Sequence, residues 1–216
     1  MTKPRIKICC IQNEQEAADA ISFGASAIGL VGKMPSGPGP ISDAQIARIA
    51  RSVPPPVATF LLTSEQTAQG IVDHYQRTRT NTIQIVDELK GRDYERLRSA
   101  LPGIKLVQVI HVTGDESVEE ACELAMHVDA ILLDSGNPTL AVKELGGTGR
   151  RHDWKLSRRI VESCGKPVFL AGGLNAANVP EALEVVGPFG LDVCSGVRTD
   201  GGLDLAKVEA FFRSAT

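Results

Sequence analysis

Between Arg5 and Phe212 the chain switches eight times from a short apolar, β-branched run to a segment with helical apolar spacing. This alternation limits the fold more than any other feature of the sequence. The strand-like runs are Arg5 to Cys9, Ala27 to Val31, Val57 to Leu62, Thr82 to Val86, Lys105 to His111, Ala130 to Asp134, Val168 to Ala171 and Leu191 to Cys194. Between them, sets such as Ala17, Ala20, Ile21 and Gly24, or Ile46, Ile49, Ala50 and Val53, fall on one face of a helix. Helix starts are read at Asn13 with Glu16, Ser42 with Gln45 and Thr63 with Gln66, each a polar cap followed three residues later by Glu or Gln.

Strands that are apolar along their whole length belong in a parallel sheet whose faces are covered by helices. An open doubly wound sheet competes with a closed barrel. Eight consecutive units within 216 residues match barrel closure better. No stretch reads as a linker, because the Pro-rich segments, Met34 to Pro40 and Pro54 to Pro56, are short. The expectation is an α/β protein, a single (β/α)8 TIM barrel domain spanning residues 1–216.

Composition narrows the function. Lys and Arg number 23 against 26 Asp and Glu, a net charge of −3, with no dense basic run. That argues against a nucleic-acid or membrane-surface partner. Apolar runs such as Val57 to Leu62 are far below the roughly 18 residues that span a bilayer, and the first residues lack a signal-peptide core. The five cysteines form neither a disulfide framework nor zinc-ligand spacing. A reduced, cytoplasmic protein acting on a small molecule is expected.

In such barrels, reacting groups lie where strands end and the next loops begin. The last two strand ends carry glycines, in Leu-Ala-Gly-Gly-Leu (170–174) and Cys-Ser-Gly-Val (194–197). Glycine lets backbone N–H groups approach an anion, and these two ends are the usual phosphate site of the fold. Gly172, Gly173, Ser195 and Gly196 are therefore phosphate candidates, although tight turns alone would also use glycine. Leu-Gly-Gly-Thr-Gly-Arg (145–150) lies in a long stretch, 135–152, that reads as a binding loop, with Gly147 and Gly149 as contacts. Asp134 ends the sixth strand and Cys9 the first, where alternation puts Cys9 on the same face as Lys7. A lone cysteine is more often a small buried apolar residue than a catalyst. Opposite Asp134 at one barrel mouth, Cys9 becomes a credible base to its acid, with Lys7 favouring the thiolate.

Lys-Ile-Cys-Cys-Ile (7–11), Leu-Leu-Asp-Ser (132–135), Gly-Gly-Thr-Gly-Arg (146–150) with Asp153-Trp154, Leu-Ala-Gly-Gly-Leu-Asn (170–175), Asn178-Val179 and Asp-Val-Cys-Ser-Gly-Val (192–197) resemble the phosphoribosylanthranilate isomerase family. The resemblance runs nearly the full length, in matching order. It implies the same barrel and an Amadori rearrangement in tryptophan biosynthesis, with no metal or organic cofactor. Carried over, Asp134 is the general acid at the ribose ring oxygen and Cys9 the general base at the sugar C2. The phosphate sits on amides around Gly172, Gly173, Ser195 and Gly196, and Asp192 lies near the substrate.

The chain departs from the family pattern on one side. Cys10 stands where the family usually has Gly, and Met34 to Ile41 holds no Arg to clamp the anthranilate carboxylate, with Lys33 the nearest cation. Gln84 is followed by Ile85, Val86 and Asp87 rather than a Leu-His-Gly stretch, and Arg198 stands where Glu is common. Two other readings therefore stay open: a divergent relative acting on a different sugar phosphate, and a non-catalytic sugar-phosphate binder. Monomer and homodimer are both left open.

Overall fold

The computed structural model describes residues 3–136, 140, 143, 145, 149 and 151–215. Eight parallel strands close on themselves in chain order. They are β1 (Arg5–Ile8), β2 (Ala27–Val31), β3 (Ala58–Thr63), β4 (Thr82–Ile85), β5 (Lys105–His111), β6 (Ala130–Asp134), β7 (Val168–Leu170) and β8 (Gly190–Val193). The closing seam pairs β1 with β8, from Arg5 against Gly190 to Ile8 against Val193. Among the described residues, eight α-helices alternate with these strands. They are α1 (Glu14–Ser22), α2 (Asp43–Ser52), α3 (Ala68–Thr78), α4 (Tyr94–Ala100), α5 (Glu116–Ala125), α6 (Trp154–Ser163), α7 (Val179–Val186) and α8 (Leu205–Ser214). The alternation read from the sequence is thus a (β/α)8 barrel. A small hairpin of β9 (Arg198–Thr199) and β10 (Gly202–Leu203) follows β8. None of the helices among the described residues is long and apolar enough to cross a membrane.

The period-2 alternation of each strand splits its side chains between two cores. Phe60, Leu62, Val107, Val109, Ala130, Leu132 and Phe169 fill the inside of the cylinder. Their neighbours Leu61, Leu106, Ile110, Ile131, Leu133 and Leu170 turn outward and pack under the helices with Ile46, Ile49, Ile71 and Leu97. Each large aliphatic side chain so buried contributes roughly 1.5–3 kcal/mol, so the pattern that defines the strands also stabilises the closed form.

Two caps form as expected: Asn13 accepts from the Glu16 amide and Ser42 from the Gln45 amide. The reciprocal arms differ, because Glu16 reaches the Gln12 amide and Gln45 the Gln12 carbonyl. The third expectation fails. Thr63 is the last residue of β3 and caps nothing; Thr67 accepts from the Gly70 amide and starts α3. Thr63 is instead buried, its hydroxyl 2.9 Å from His74 Nδ1. The Glu-or-Gln spacing favours Thr63, which has Gln66 three residues on, over Thr67, which has Gly70, but Thr63 is already committed to the β3 ladder. Four ladders also end one residue earlier than read, leaving Cys9, Val86, Ala171 and Cys194 just beyond the last paired residue. The Cys9, Val86 and Ala171 amides still donate to the neighbouring strands, at Val193, Thr63 and Leu133, so the chain turns into the mouth from an anchored position.

Candidate active site

Two hollows open at opposite ends of the cylinder. The one at the N-terminal ends is lined by Phe60, Phe169 and Phe189, and two of its charges, Lys105 and Asp129, pair with each other. The one at the C-terminal ends gathers thiols, carboxyls and glycine-rich backbone, and is the candidate site.

Cys9 and Asp134 line this mouth from β1 and β6, joined by Asp192 from β8. Gly172 and Gly173 line it after β7, Ser195 after β8, and Gly149 from the long loop after β6. The other expected residues fall elsewhere. Lys7 is fully buried beneath the mouth, its Nζ 2.8 Å from Asp192 Oδ1 and 5.2 Å from the centre of the Phe60 ring. Gly196 does not line the hollow; a Cβ there would lie 2.0 Å from the Leu174 carbonyl oxygen, so its missing side chain lets the β7 and β8 loops touch. Gly147 lies outside the described residues.

The glycine pair has a backbone reason. Gly172 and Gly173 have φ of 85° and 65°, in the left-handed region that side chains resist. Asn178 at the start of α7 donates to the Gly173 carbonyl at 2.9 Å, holding the turn.

Electrostatics separates the two proton-transfer candidates. The Cys9 thiol is pulled below its usual range, first by a hydrogen bond from the Cys10 thiol, against burial, and then by the Lys7 charge. Burial opposes the charge of Lys7, but Asp192 and Cys9 outweigh it and keep the ammonium charged. Asp134 moves the other way. Burial pushes its carboxyl up, only partly offset by the Ser135 amide that donates to Oδ1 at 2.7 Å and by nearby His111. One group is tuned toward losing its proton and the other toward keeping it, the arrangement an acid–base pair requires.

Several residues of the site carry no signal in local sequence. Gln84 lines the mouth from β4, nearly buried, and its Oε1 has no hydrogen-bond partner among the described residues. Cys10 adopts φ of 63°, and its carbonyl is held by Arg198, whose guanidinium also pairs with Glu16 at 2.8 Å. Cys194 Sγ lies 2.7 Å from Cys10 Sγ. On the loop after β6, Lys143 spans to Asp87 at 2.7 Å and its carbonyl accepts from Ser36, while Leu145 is buried against the mouth. Lys33 does not line the hollow, and none of the described lining residues is Lys or Arg. Among the described residues no group of three or more His, Cys, Asp or Glu side chains is arranged to hold a metal ion.

Residues 6–214 match the family described as N-(5'phosphoribosyl)anthranilate (PRA) isomerase. The chain belongs to this family. It is 35% identical over 213 residues to the N-(5'-phosphoribosyl)anthranilate isomerase 2 of Methanosarcina mazei, covering 98% of this chain and 93% of that one. The crystal structure of phosphoribosyl anthranilate isomerase from Thermotoga maritima superposes with a TM-score of 0.80 at 29% identity, covering 98% of both chains. Another isomerase structure, solved in complex with reduced 1-(o-carboxyphenylamino)-1-deoxyribulose 5-phosphate, superposes at 0.77 with 27% identity and 98% coverage of both. Members of the family are isomerases of the aldose–ketose type, and this chain is an enzyme of that class.

Proposed function

We propose that this enzyme converts N-(5-phosphoribosyl)anthranilate to the aminodeoxyribulose phosphate by an Amadori rearrangement, with Asp134 as general acid and Cys9 as general base. The observation that carries the reading is the opposed tuning of these two groups at one mouth, beside the glycine pair of the β7 loop. The substrate follows from the family and from the product-like ligand held by the related structure.

Asp134, whose carboxyl burial shifts toward its protonated form, gives its proton to the ribose ring oxygen. The C1–O bond breaks and the nitrogen lone pair forms an iminium. Cys9, as thiolate, removes the proton from C2; the electron pair of that bond makes the C1–C2 double bond of an enolamine. Tautomerisation to the ketone then returns a proton to C1. The phosphate is taken by backbone around Gly172, Gly173 and Ser195, where two positive-φ glycines turn the chain at the lining of the mouth. Gly149 stands beside Ser195, its Cβ position 3.7 Å from the Ser195 hydroxyl oxygen, and extends this wall. The free Gln84 Oε1 accepts from a sugar hydroxyl. Asp192 and Lys7 set the field under the reacting carbon rather than touching the phosphate.

A second reading rests on one observation: no described lining residue offers a cation to an anthranilate carboxylate. It is a relative of the isomerase acting on a sugar phosphate without that carboxylate. Turnover of freshly generated phosphoribosylanthranilate, together with rescue of a tryptophan auxotroph lacking the isomerase, supports the first reading. Absence of both removes it, and turnover of another aminoaldose phosphate would then establish the second.

A further inference from the structure

Three thiols meet at the seam of the barrel, although the proposed chemistry uses only one. Cys9 and Cys10 follow β1, and Cys194 follows β8. Cys10 Sγ and Cys194 Sγ are 2.7 Å apart, well inside the distance two unbonded sulfurs normally keep and approaching the ~2.05 Å of a bond. Both are free thiols.

The pair is held from several sides. Arg198 and the Gln12 side chain donate to the Cys10 carbonyl, and Glu16 anchors Arg198. Gly39 packs over Cys10 so closely that a Cβ there would lie 2.7 Å from Cys10 Cβ. Cys10 also occupies a left-handed backbone conformation, which an L side chain rarely adopts. A buried soft-metal site is the alternative use for three sulfurs, but they do not form a ligand set for an ion.

We propose that Cys10 and Cys194 form a reversible disulfide across the mouth of the barrel, a modification site that couples the enzyme to the thiol–disulfide balance around it. The oxidant is a small-molecule disulfide. The thiolate of Cys194, the less buried partner, attacks one sulfur of that disulfide; the S–S bond breaks and one small thiolate leaves. Cys10, whose buried thiol is pushed up by its neighbouring thiols and by burial, passes its proton to the small thiolate released in the first step, attacks the Cys194 sulfur of the mixed disulfide and expels the second small thiolate. Two protein thiols lose two protons and two electrons, and one small disulfide becomes two thiols.

The consequence for activity rests on the proposed role of Cys9. Once oxidised, Cys10 no longer has a proton to donate to Cys9, and the thiolate loses its leading support. A hydrogen bond to a charged group is worth about ten- to hundred-fold in an equilibrium, so turnover is expected to fall about ten-fold or more.

The test exposes the intact enzyme to oxidised glutathione, blocks the remaining thiols by alkylation and maps peptides without reduction. The expected result is a linked pair of peptides containing Cys10 and Cys194, with Cys9, Cys122 and Cys164 alkylated, all reversed by dithiothreitol. Five alkylated cysteines, a glutathione adduct alone, or a link through Cys9 overturns the proposal. This readout needs no substrate, so it stands apart from the identity of the reaction. The ratio of oxidised to reduced turnover is then measured for the native enzyme, C194A and C10G, the last suited to the left-handed backbone. A drop confined to the native enzyme supports the coupling; an equal drop in either variant, or none in the native enzyme, overturns it.

Discussion

Lys7 and Asp192 lie 185 positions apart in the chain and 2.8 Å apart in the barrel, joining the first strand to the last directly beneath the mouth. Both are shielded from water, so each charge depends on the other. Lys7→Met leaves a buried, unpaired carboxylate and is expected to lower the unfolding free energy by about 3–5 kcal/mol. The double variant Lys7→Met/Asp192→Leu recovers most of that loss, because no bare charge remains. Denaturant titration of the four members of the cycle measures it; additive losses would show that the pair is not coupled.

Cys9→Ser and Asp134→Asn are each expected to reduce kcat by ~10²–10⁴, the usual contribution of a proton-transfer group, with a smaller change in KM. The pH dependence has a defined direction. In the proposed mechanism Cys9 works deprotonated and Asp134 protonated; the Cys9 thiol is shifted down and the Asp134 carboxyl up. Both shifts enlarge the fraction of enzyme in the working state near neutrality. The ultraviolet absorbance of the thiolate, taken as native minus Cys9→Ser, is expected to appear below the ordinary thiol range and to move upward in Lys7→Met. Turnover near the native level in Cys9→Ser or Asp134→Asn would reject the role given to that residue.

Gly196 is required for close contact. A Cβ there would sit 2.0 Å from the Leu174 carbonyl oxygen, which is backbone and has little room to give. Gly196→Ala forces the β7 and β8 loops apart and is expected to destabilise the fold by about 1–3 kcal/mol. Because these loops carry the proposed phosphate amides, KM rises more than kcat falls. Steady-state kinetics read beside thermal unfolding checks it, and an unchanged KM would remove the phosphate from this corner.

His152 gives a stability prediction away from the chemistry. Its Nε2 lies 2.7 Å from the Ser157 hydroxyl, and burial pushes its pKa down from 6.5 to about 4. The folded protein takes up this proton less readily than the unfolded chain. The contribution is therefore complete above pH 6.5 and is lost as the pH falls toward about 4. At most about 3 kcal/mol is at stake. Unfolding free energies of native enzyme and His152→Gln should converge as the medium becomes acidic, and parallel curves would count against it.

The fold was legible because its signals are local: helical spacing, β-branched runs and caps such as Asn13 and Ser42 lie within a few residues of each other. Strand ends were legible to within one residue, and Cys9 and Asp134 followed from them. What escaped the sequence was whatever depends on closure. Arg198 meets Glu16 across 182 positions and Cys194 meets Cys10 across 184, and nothing in either neighbourhood announces the partner. Lys7 was placed on the correct face, but alternation does not say how deep a side chain lies, and it is covered. Thr63 shows the reverse limit: its Thr-x-x-Gln spacing reads as a cap, yet β3 runs through it and α3 starts at Thr67, which has Gly70 rather than Glu or Gln three residues on.

The seam between β1 and β8 also sets when the mouth of the barrel is assembled. A nascent chain emerging as far as β7 already contains the thiol of Cys9 and the carboxyl of Asp134. It still lacks the counter-charge for Lys7 and the second wall of the proposed anion cradle, both of which arrive with β8 and its loop. Closure of the barrel and assembly of the mouth are therefore one event: the strands that seal the cylinder are the ones that bring Lys7 to Asp192 and Cys10 to Cys194.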